Sequence, residues 1–292
     1  MSVPSLRTLL CHRDVDLAIH CLDTAMRLSA DPVQVVIHED GSLTPEDREK
    51  LAKGLPGSRI FDRQVADKLM AERLLSYPNA RAFREGSVWG MKLLDVVLAE
   101  PGLCFYLDSD IRFFRPFRNL FVEASTRSRC VFLRDTVWQA YSIRPWHLLD
   151  QRGLRLASGI NTGLTLCDPQ VFDLGFVDWF LGQLDWRVIP AWTEPTCWAA
   201  LALRAGGQAI DPKQVTNLYP SAKVTEQTLG AHFLSAYRSQ WQPLLDQPVR
   251  STIARPADLR FQPLRALTAA GLAINQFKRK LQNTVLRNIA QP

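Results

Sequence analysis

The sequence has no apolar run long enough to cross a membrane as a helix, because every stretch of about 18 residues contains a charged side chain. Residues 1–14 have only a short apolar core, which Arg7 interrupts, unlike a secretory signal. The six cysteines are scattered, and no two have the Cys-x-x-Cys spacing of a zinc site. These absences argue against a secreted protein, a membrane-spanning protein and a zinc ribbon. They predict a cytoplasmic protein with reduced, buried thiols.

Acidic residues are almost absent from residues 251–292, which hold seven lysines and arginines and the single acid Asp258. This local excess equals the net charge of +6 of the whole chain, so residues 1–250 are balanced. A neutral body argues against a nucleic-acid-binding face on the main domain. We therefore divide the chain into a domain of residues 1–250 and a basic C-terminal extension of residues 251–292.

The C-terminal extension also contains an amphipathic helical pattern. Leu281, Val285 and Ile289 recur every four residues, and the basic cluster 278–280 flanks this stripe. An apolar stripe with a cationic border is typical of a helix lying on an anionic membrane surface. The same pattern also fits a C-terminal helix that docks on the domain and leaves its basic side in solvent. The sequence leaves both interpretations open.

Short apolar segments alternate with amphipathic segments along residues 1–250, which predicts an α/β fold with a mainly parallel sheet and helices on both faces. Thr44-Pro45-Glu46-Asp47 has the pattern of a helix start, with Thr44 as the N-cap and Asp47 three residues later. The predicted strands are 6–11, 33–37, 103–107, 130–133 and 164–167, and the main predicted helices are 14–28, 64–75, 88–98, 171–184 and 196–204.

Residues 103–116, LCFYLDSDIRFFRP, are the most informative segment of the chain. The apolar run 103–107 predicts a strand buried on both faces, and it leads directly into Asp108 and Asp110. Carboxylates at the carboxyl end of such a strand lie where open α/β sheets bind ligands. Two carboxylates this close repel each other unless a cation lies between them, and Mg2+ or Mn2+ prefers such oxygen ligands. The segment predicts a site for a metal and a diphosphate.

The same Asp-x-Asp spacing occurs at Asp14-Val15-Asp16, but there it precedes an amphipathic segment. We interpret these two acids as helix-start residues that satisfy free backbone N–H groups. The spacing alone therefore does not identify a metal site. Asp108 and Asp110 are candidate metal ligands because they directly follow a predicted buried strand, whereas Asp14 and Asp16 do not.

Four segments carry a resemblance to a known family in their order and spacing: FYLDSDIRFFRP (105–116), SGINTGLTLCDP (158–169), TEPTCWAALAL (193–203) and GAHFLSAYRSQW (230–241). They resemble nucleotide-sugar glycosyltransferases of the GT-A fold, in particular the glycogenin-like and lipopolysaccharide galactosyltransferase-like enzymes. The resemblance implies a Rossmann-like GT-A domain over residues 1–250. The chain departs from the family at Ser235, where the family has Gly, at Arg238, where it has Lys, and at Glu194-Pro195-Thr196, where it has Asp-Gln-Asp.

The resemblance implies a metal site of Asp108, Asp110 and His232, in which Asp108 also contacts the ribose. It implies that Glu194 and Asn161 act at the donor sugar. The three other residues each have an alternative interpretation that is purely structural. His232 also fits a core histidine, Asn161 a turn residue, and Glu194 an acid in the first turn of a helix.

Five further residues follow from the predicted sheet and the resemblance. Cys11, His12 and Arg13 follow the first strand, at the edge where such sheets receive the nucleotide base. Lys92, on the helix before the Asp108 strand, can reach the diphosphate as a point charge, or it is a solvated helix charge. Gly163 occupies a matching position of the family's donor-binding segment.

The expected activity is transfer of a hexosyl group from a nucleotide diphosphate sugar, UDP-linked, to a saccharide or a lipid-linked glycan, with Mn2+ or Mg2+ as cofactor. The relatives imply net retention, although Glu194 could serve as a base for inversion. Trp192 is either a core residue or a stacking platform for the acceptor sugar.

Two other classes remain open. A metal-dependent nucleotidyl- or phosphotransferase also uses paired carboxylates, but the first loop, CHRDVD, lacks the glycine-rich phosphate motif. The other class is a non-catalytic nucleotide-sugar-binding module. In such a module the two carboxylates at the strand end would have no partner, and burying them would be energetically unfavourable.

Overall fold

A computed structural model describes residues 4–120, 130–136, 141–150, 154–248 and 255–289, without the side chains of residues 150, 279–280 and 282–289. The described strands are β1 Ser5–Leu10, β2 Gln34–Glu39, β3 Arg59–Phe61, β4 Cys104–Leu107, β5 Ile111–Phe113, β6 Phe117–Arg118, β7 Cys130–Arg134, β8 Leu156–Ser158, β9 Ile160–Cys167, β10 Gln208–Ile210, β11 Val215–Asn217, β12 Gly230–His232, β13 Ala257–Asp258, β14 Phe261–Pro263 and β15 Arg265–Leu267. The described helices are α1 Val15–Leu28, α2 Pro45–Gly54, α3 Arg63–Arg73, α4 Pro78–Gly86, α5 Val88–Leu98, α6 His147–Asp150, α7 Leu174–Gly182, α8 Pro190–Arg204, α9 Gln242–Leu245 and α10 Ala269–Ile289.

Eight of these strands form a central sheet in the order β14-β10-β7-β9-β4-β1-β2-β3. Strands β4, β1, β2 and β3 run parallel to one another, and β10 runs parallel to β7. Strand β9 runs antiparallel to both of its neighbours, β4 and β7. The predicted α/β class with a mainly parallel sheet is confirmed, with β9 as the main antiparallel element inside the sheet.

Helices cover both faces of the central sheet, and β4 shows why its sequence is almost wholly apolar. Cys104 and Tyr106 pack into one core, together with side chains of α4, α5, α7 and α8. Phe105 and Leu107 pack into the opposite core, with side chains of α1 and α2. Because successive strand residues point to opposite faces, a strand between two cores needs apolar residues throughout.

Helix α2 begins as the sequence predicts. The Thr44 hydroxyl accepts a hydrogen bond from the Asp47 backbone N–H at 3.2 Å, and the Asp47 carboxylate accepts one from the Thr44 N–H at 2.9 Å. This reciprocal pair satisfies two of the backbone donors that a helix start leaves free.

Helix α8 and strand β9 are longer than their sequence patterns suggest. Helix α8 begins at Pro190, six residues before the predicted start, and contains Pro195. Proline suits the first helical position but disfavours an interior one, which makes Pro195 resemble a helix boundary in the sequence. Burial of Cys197 and Trp198 against the sheet outweighs this local penalty.

Helices α4 and α5 cross at very close range at Gly90. A Cβ atom at this position would lie 2.5 Å from the Arg84 Cα and would also collide with the Phe83 carbonyl oxygen. The Arg84 guanidinium donates two hydrogen bonds to the buried Asp95 carboxylate of α5, at 3.0 and 2.8 Å. The glycine therefore permits the approach of the helices, and the ion pair fixes it.

The C-terminal extension adds strands to the body of the protein. Strand β14 pairs with β10 at the edge of the central sheet, β13 pairs with β6, and β15 pairs with β8. Helix α10 then begins, and its Leu272 is fully buried. The described residues of the extension are thus continuous with the domain, while the division at residue 250 stays a prediction.

The predicted apolar stripe of α10 is described only at Leu281, whose side chain is half exposed; the side chains of Val285 and Ile289 lie outside the described residues. Within the described residues, no helix combines the length and the hydropathy that crossing a membrane requires.

Candidate metal and donor site

The site forms where the central sheet meets a small sheet of β11, β12 and β5. Asp108 follows the last residue of β4, and Asp110 precedes β5. Strand β12 runs antiparallel to β5 and places His232 opposite Ile111. This pairing brings an imidazole from late in the chain to the two carboxylates after β4.

The three side chains converge within bonding range of a single ion. The His232 Nε2 atom lies 3.1 Å from Asp110 Oδ1 and 3.6 Å from Asp108 Oδ2. One ligand atom from each residue lies within 4.8 Å of the others. Asp110 and His232 are buried, and Asp108 is partly buried. The three residues predicted as ligands are therefore brought together by the fold.

The orientation of His232 fits a metal ligand. Its Nδ1 atom faces two amide oxygens, Asn161 Oδ1 at 3.2 Å and Asn217 Oδ1 at 3.3 Å. Since both oxygens are acceptors, Nδ1 carries the proton in the neutral ring, and Nε2 offers its lone pair to the side of the aspartates. Two carboxylates and one imidazole form a donor set that Mn2+ and Mg2+ accept.

Gly163 leaves the space that His232 occupies. A Cβ atom at this position would lie 2.5 Å from His232 Cε1 and 2.7 Å from Nδ1. The Gly163 carbonyl also accepts a hydrogen bond from the Asp108 N–H at 2.6 Å. Gly163 thus supports two of the three candidate ligands, whereas the sequence placed it only at the donor.

Lys92 is buried beside Asp108. Its Nζ atom donates to both carboxylate oxygens, at 2.9 and 3.1 Å, and lies 4.8 Å from the centre of the Tyr106 ring. The Tyr106 hydroxyl donates to the same carboxylate. Burial opposes the charge of Lys92, but Asp108 and Glu194 raise its pKa above the ordinary value. The alternative of a solvated helix charge is wrong.

Glu194 is a buried acid of helix α8. Its Oε2 atom accepts a hydrogen bond from the Thr162 hydroxyl at 2.8 Å, and its Oε1 atom has no hydrogen-bond partner among the described residues. Burial raises the pKa of Glu194 to about 7, although Lys92 opposes this shift. Because α8 begins at Pro190, Glu194 is not a first-turn acid, and that alternative is wrong.

The raised pKa of Glu194 makes the stability of the protein depend on pH. The folded state favours the protonated carboxyl, so this contribution is full below the unfolded-state pKa of 4.5 and is lost as the pH rises to about 7. We expect Glu194→Gln to stabilise the protein by up to about 3 kcal/mol at about pH 8, and to have little effect near pH 4.5. Urea unfolding at the two pH values measures this difference.

The control for this prediction is Glu49→Gln, at a largely exposed acid of α2 paired with Lys53. It should change the free energy of unfolding by less than about 0.5 kcal/mol at either pH. A Glu194→Gln effect that is the same at both pH values would contradict the assignment of a buried, titrating carboxyl.

Asn161 lies in strand β9, beside an irregularity in its pairing with β7. Its Oδ1 atom accepts the Gly163 N–H at 2.9 Å as well as facing His232. The alternative of a turn residue is therefore wrong. The side chain belongs to the surroundings of the metal site, and its predicted contact with the donor sugar stays a prediction.

The first loop lies at the carboxyl end of β1, as the sequence predicts, in a short 3-10 helix, His12–Asp14. The Cys11 thiol donates to the Asp14 carboxylate at 3.3 Å, His12 Nδ1 lies 2.6 Å from the Asp47 carboxylate, and Arg13 is largely exposed. Asp14 makes no helix-capping hydrogen bond, so its predicted role as a cap is wrong.

Arg238 connects the first loop to the metal site. Its guanidinium lies 2.9 Å from Asp110 Oδ2 and 3.6 Å from Asp14 Oδ1. Burial raises the pKa of Asp110, but His232 and Arg238 lower it below the ordinary value. The sequence identified Arg238 only as a departure from the family and missed its contact with a candidate ligand.

Three further residues around the site were not identified from the sequence: Asp135, Asn217 and Tyr219. Asp135 Oδ1 accepts hydrogen bonds from Asn217 Nδ2 at 2.6 Å and from the Tyr219 hydroxyl at 2.8 Å. Asp135 follows β7 as Asp108 follows β4, and this position at a strand end was the available signal. Asn217 and Tyr219 carry no motif.

The tryptophans of residues 179–198 divide between the core and the surface. Trp186 and Trp198 are buried in the core, while Trp179 is exposed. Trp192 lines a cavity of about 570 Å³, together with Tyr141, Arg144, His147, Gln276 and Phe277.

No family model matches this chain, and no curated protein matches it. Solved structures do match. Mouse xyloside xylosyltransferase 1 has 12% identity and a TM-score of 0.49 over 78% of this chain and 97% of its own. Core-mannan synthase A from Aspergillus fumigatus, in a form with manganese and GDP, has 12% identity and a TM-score of 0.46 over 71% of this chain and 73% of its own.

The galactosyltransferase LgtC, in complex with donor and acceptor sugar analogs, has 10% identity and a TM-score of 0.52. The match covers 86% of this chain and 97% of LgtC. The two proteins thus share a fold. The chain has the GT-A fold of LgtC, and the fold predicted from the sequence is confirmed.

Proposed function

We propose that this protein is a metal-dependent glycosyltransferase that moves a hexosyl group from a UDP-sugar to a saccharide or a lipid-linked glycan. The observation that carries the proposal is the convergence of Asp108, Asp110 and His232 at the ligand-binding edge of a GT-A sheet. The alternatives of a nucleotidyl- or phosphotransferase and of a non-catalytic binding module have no comparable support.

Asp108, Asp110 and His232 would hold Mn2+ or Mg2+, which when bound stabilises negative charge on the leaving diphosphate. Two cations of the chain lie beside these ligands, Lys92 on Asp108 and Arg238 on Asp110. They fix the carboxylates and add positive charge at the place where the diphosphate would bind. Cys11, His12 and Arg13 lie at the same edge and would face the nucleotide.

Glu194 and Asn161 would act on the donor sugar. Glycosyl transfer develops positive charge at the anomeric carbon, and a carboxylate that is partly ionised near neutral pH can stabilise it. Glu194 is fully buried and accepts a hydrogen bond from Thr162, so it would act on this charge through space and without contact with the sugar. A base for inversion must instead contact the acceptor hydroxyl directly. This burial favours net retention.

The proposal predicts hydrolysis of a nucleotide sugar in the absence of an acceptor. A panel of UDP-, GDP- and CMP-sugars should show slow release of the free nucleotide diphosphate for a UDP-sugar, dependent on Mn2+ and abolished by a chelator. Release that is equally fast without metal, or binding of none of the donors by calorimetry with Mn2+, would overturn the proposal.

We also propose that the acceptor side of the protein contacts an anionic membrane from the cytoplasmic face, as an enzyme of surface-polysaccharide biosynthesis would. Large apolar side chains are exposed at Trp146, Leu149, Val188, Phe277 and Leu281. Val188 and Phe277 line one cavity together with His147 of α6. Trp192 and Phe277 share one cavity, so an acceptor sugar stacked on Trp192 would lie near this surface. The basic cluster 278–280 supplies the positive charge that an anionic membrane surface attracts.

Deletion of residues 279–292 tests the membrane contact, because it keeps β13–β15 and the buried Leu272. The full chain should co-sediment with vesicles containing phosphatidylglycerol at low salt, and the deletion variant should lose most of this binding while still hydrolysing the donor. Absence of vesicle binding by the full chain would contradict the proposed contact.

A further inference from the structure

A carboxylate that follows β7 is linked to the candidate histidine ligand through two asparagines. Asp135 Oδ1 accepts a hydrogen bond from Asn217 Nδ2 at 2.6 Å, and Asn161 Nδ2 lies 3.5 Å from the same oxygen. The other ends of the two amides, Asn161 Oδ1 and Asn217 Oδ1, face His232 Nδ1 at 3.2 and 3.3 Å. Both amides thus bridge one carboxylate and one imidazole.

The direction of each amide follows from the chemistry of the carboxylate. Asp135 Oδ1 is an acceptor in each of these contacts, so each asparagine turns its NH2 group toward Asp135. The amide oxygens then point to Nδ1 of His232, which must donate. The lone pair of the neutral ring is left on Nε2, the nitrogen that faces Asp108 and Asp110.

Other contacts hold this arrangement in place. The Tyr219 hydroxyl donates to Asp135 Oδ1 at 2.8 Å, and the Asp135 N–H donates to the Gly159 carbonyl at 2.9 Å. The Gly163 N–H donates to Asn161 Oδ1 at 2.9 Å, so this amide oxygen is fixed from two sides. The chain of contacts joins β7, β9, β11 and β12.

We propose that Asp135 is a positioning residue that selects the metal-binding tautomer of His232 through Asn161 and Asn217. Outer partners of a histidine ligand typically change metal affinity by about 10- to 100-fold. The inference rests on the proposed metal site, but it concerns the proton position of His232, which is measurable independently of activity.

The test uses Asp135→Asn in the full-length chain. The new amide can present either an oxygen or an NH2 group, so the direction of Asn161 and Asn217 is no longer imposed. We expect the dissociation constant for Mn2+, measured from the free Mn2+ signal in electron paramagnetic resonance, to rise by about 10- to 100-fold. With Mg2+ bound, 15N NMR should show wild-type His232 protonated at Nδ1 and unprotonated at Nε2, whereas the variant should be mixed between its two tautomers at the same Mg2+ concentration.

The matched control is Tyr219→Phe, which removes one hydrogen bond from the same carboxylate oxygen and leaves both amides in place. It should keep the wild-type tautomer and change Mn2+ affinity by less than about fivefold, since an ordinary hydrogen bond contributes about 1 kcal/mol to such a site. If Asp135→Asn does not fold, Asn217→Ala is expected to show the same loss of Mn2+ affinity and the same mixed tautomers.

The outcomes separate this inference from the proposed function. Wild-type affinity and a pure Nδ1–H tautomer in folded Asp135→Asn would overturn the role of Asp135 while leaving the metal site intact. Failure of the wild-type protein to bind Mn2+ would overturn the proposed function, and a wild-type His232 protonated at Nε2 with Mg2+ bound would overturn the inference.

Discussion

Asp110→Asn is expected to lower Mn2+-dependent hydrolysis of the donor by about 100- to 1,000-fold, the cost of removing one group that stabilises developing charge. The variant keeps the shape of the side chain but removes the charge shared by His232 Nε2 and Arg238. It should remain folded, because an amide oxygen can still accept the hydrogen bond from Arg238. Initial rates at saturating Mn2+ and the circular dichroism spectrum measure the two effects.

The matched control is Asp16→Asn, which alters the other Asp-x-Asp sequence of the chain. Asp16 lies in the first turn of α1, is largely exposed, and approaches Lys50 at 3.3 Å. The Asp16→Asn variant should keep the rate within about twofold of the wild type, since an exposed ion pair contributes little to the stability of the fold. Near wild-type activity of Asp110→Asn with Mn2+ would show that the metal site is wrongly assigned.

Gly90→Ala is expected to destabilise the protein by about 3 kcal/mol or more, the upper range for an overpacked site. The added methyl group would meet backbone atoms of Phe83 and Arg84, which cannot rotate away as a side chain can. The two helices would have to separate, and separation weakens the buried ion pair between Arg84 and Asp95. A fall in Tm of roughly 6–12 °C should follow, by differential scanning calorimetry.

Gly175→Ala serves as the control, because Gly175 lies in helix α7 and a Cβ atom there would meet only Asp173 Oδ1, at 3.5 Å. Alanine is the better helix former, so this variant should be neutral or more stable by up to about 1 kcal/mol. Equal melting temperatures of the two variants would contradict the close helix crossing at Gly90.

The parts of the site that the sequence predicts are those in which a few adjacent residues determine the structure. The apolar run before Asp108 predicts a buried strand, and Thr44 with Asp47 predicts a helix start, because short-range periodicity and capping set both. Asp14 has the same local pattern as a cap but contacts Cys11 and Arg238 instead. Arg238 is more than two hundred residues away from Asp14 in the sequence, so the local pattern does not indicate this contact.

The rest of the site depends on contacts between distant segments, which a single sequence does not display. Asp135, Asn161 and Asn217 meet only because β7, β9 and β11 are neighbours at one edge. The burial of Lys92 and Glu194 likewise depends on how α5 and α8 pack on the sheet. Helix α8 contains an interior proline, so local preference and tertiary packing disagree there.

The antiparallel pairing of β5 with β12 has a consequence for folding kinetics. It joins Ile111 to His232, about 120 residues apart in the chain, so a large loop must close before the histidine reaches the carboxylates. The parallel strands β1 and β2 pair across a much shorter stretch of chain, with Leu6 opposite Val35. The ability to bind metal should therefore appear late during refolding, after most of the secondary structure has formed, and would report completion of the native topology.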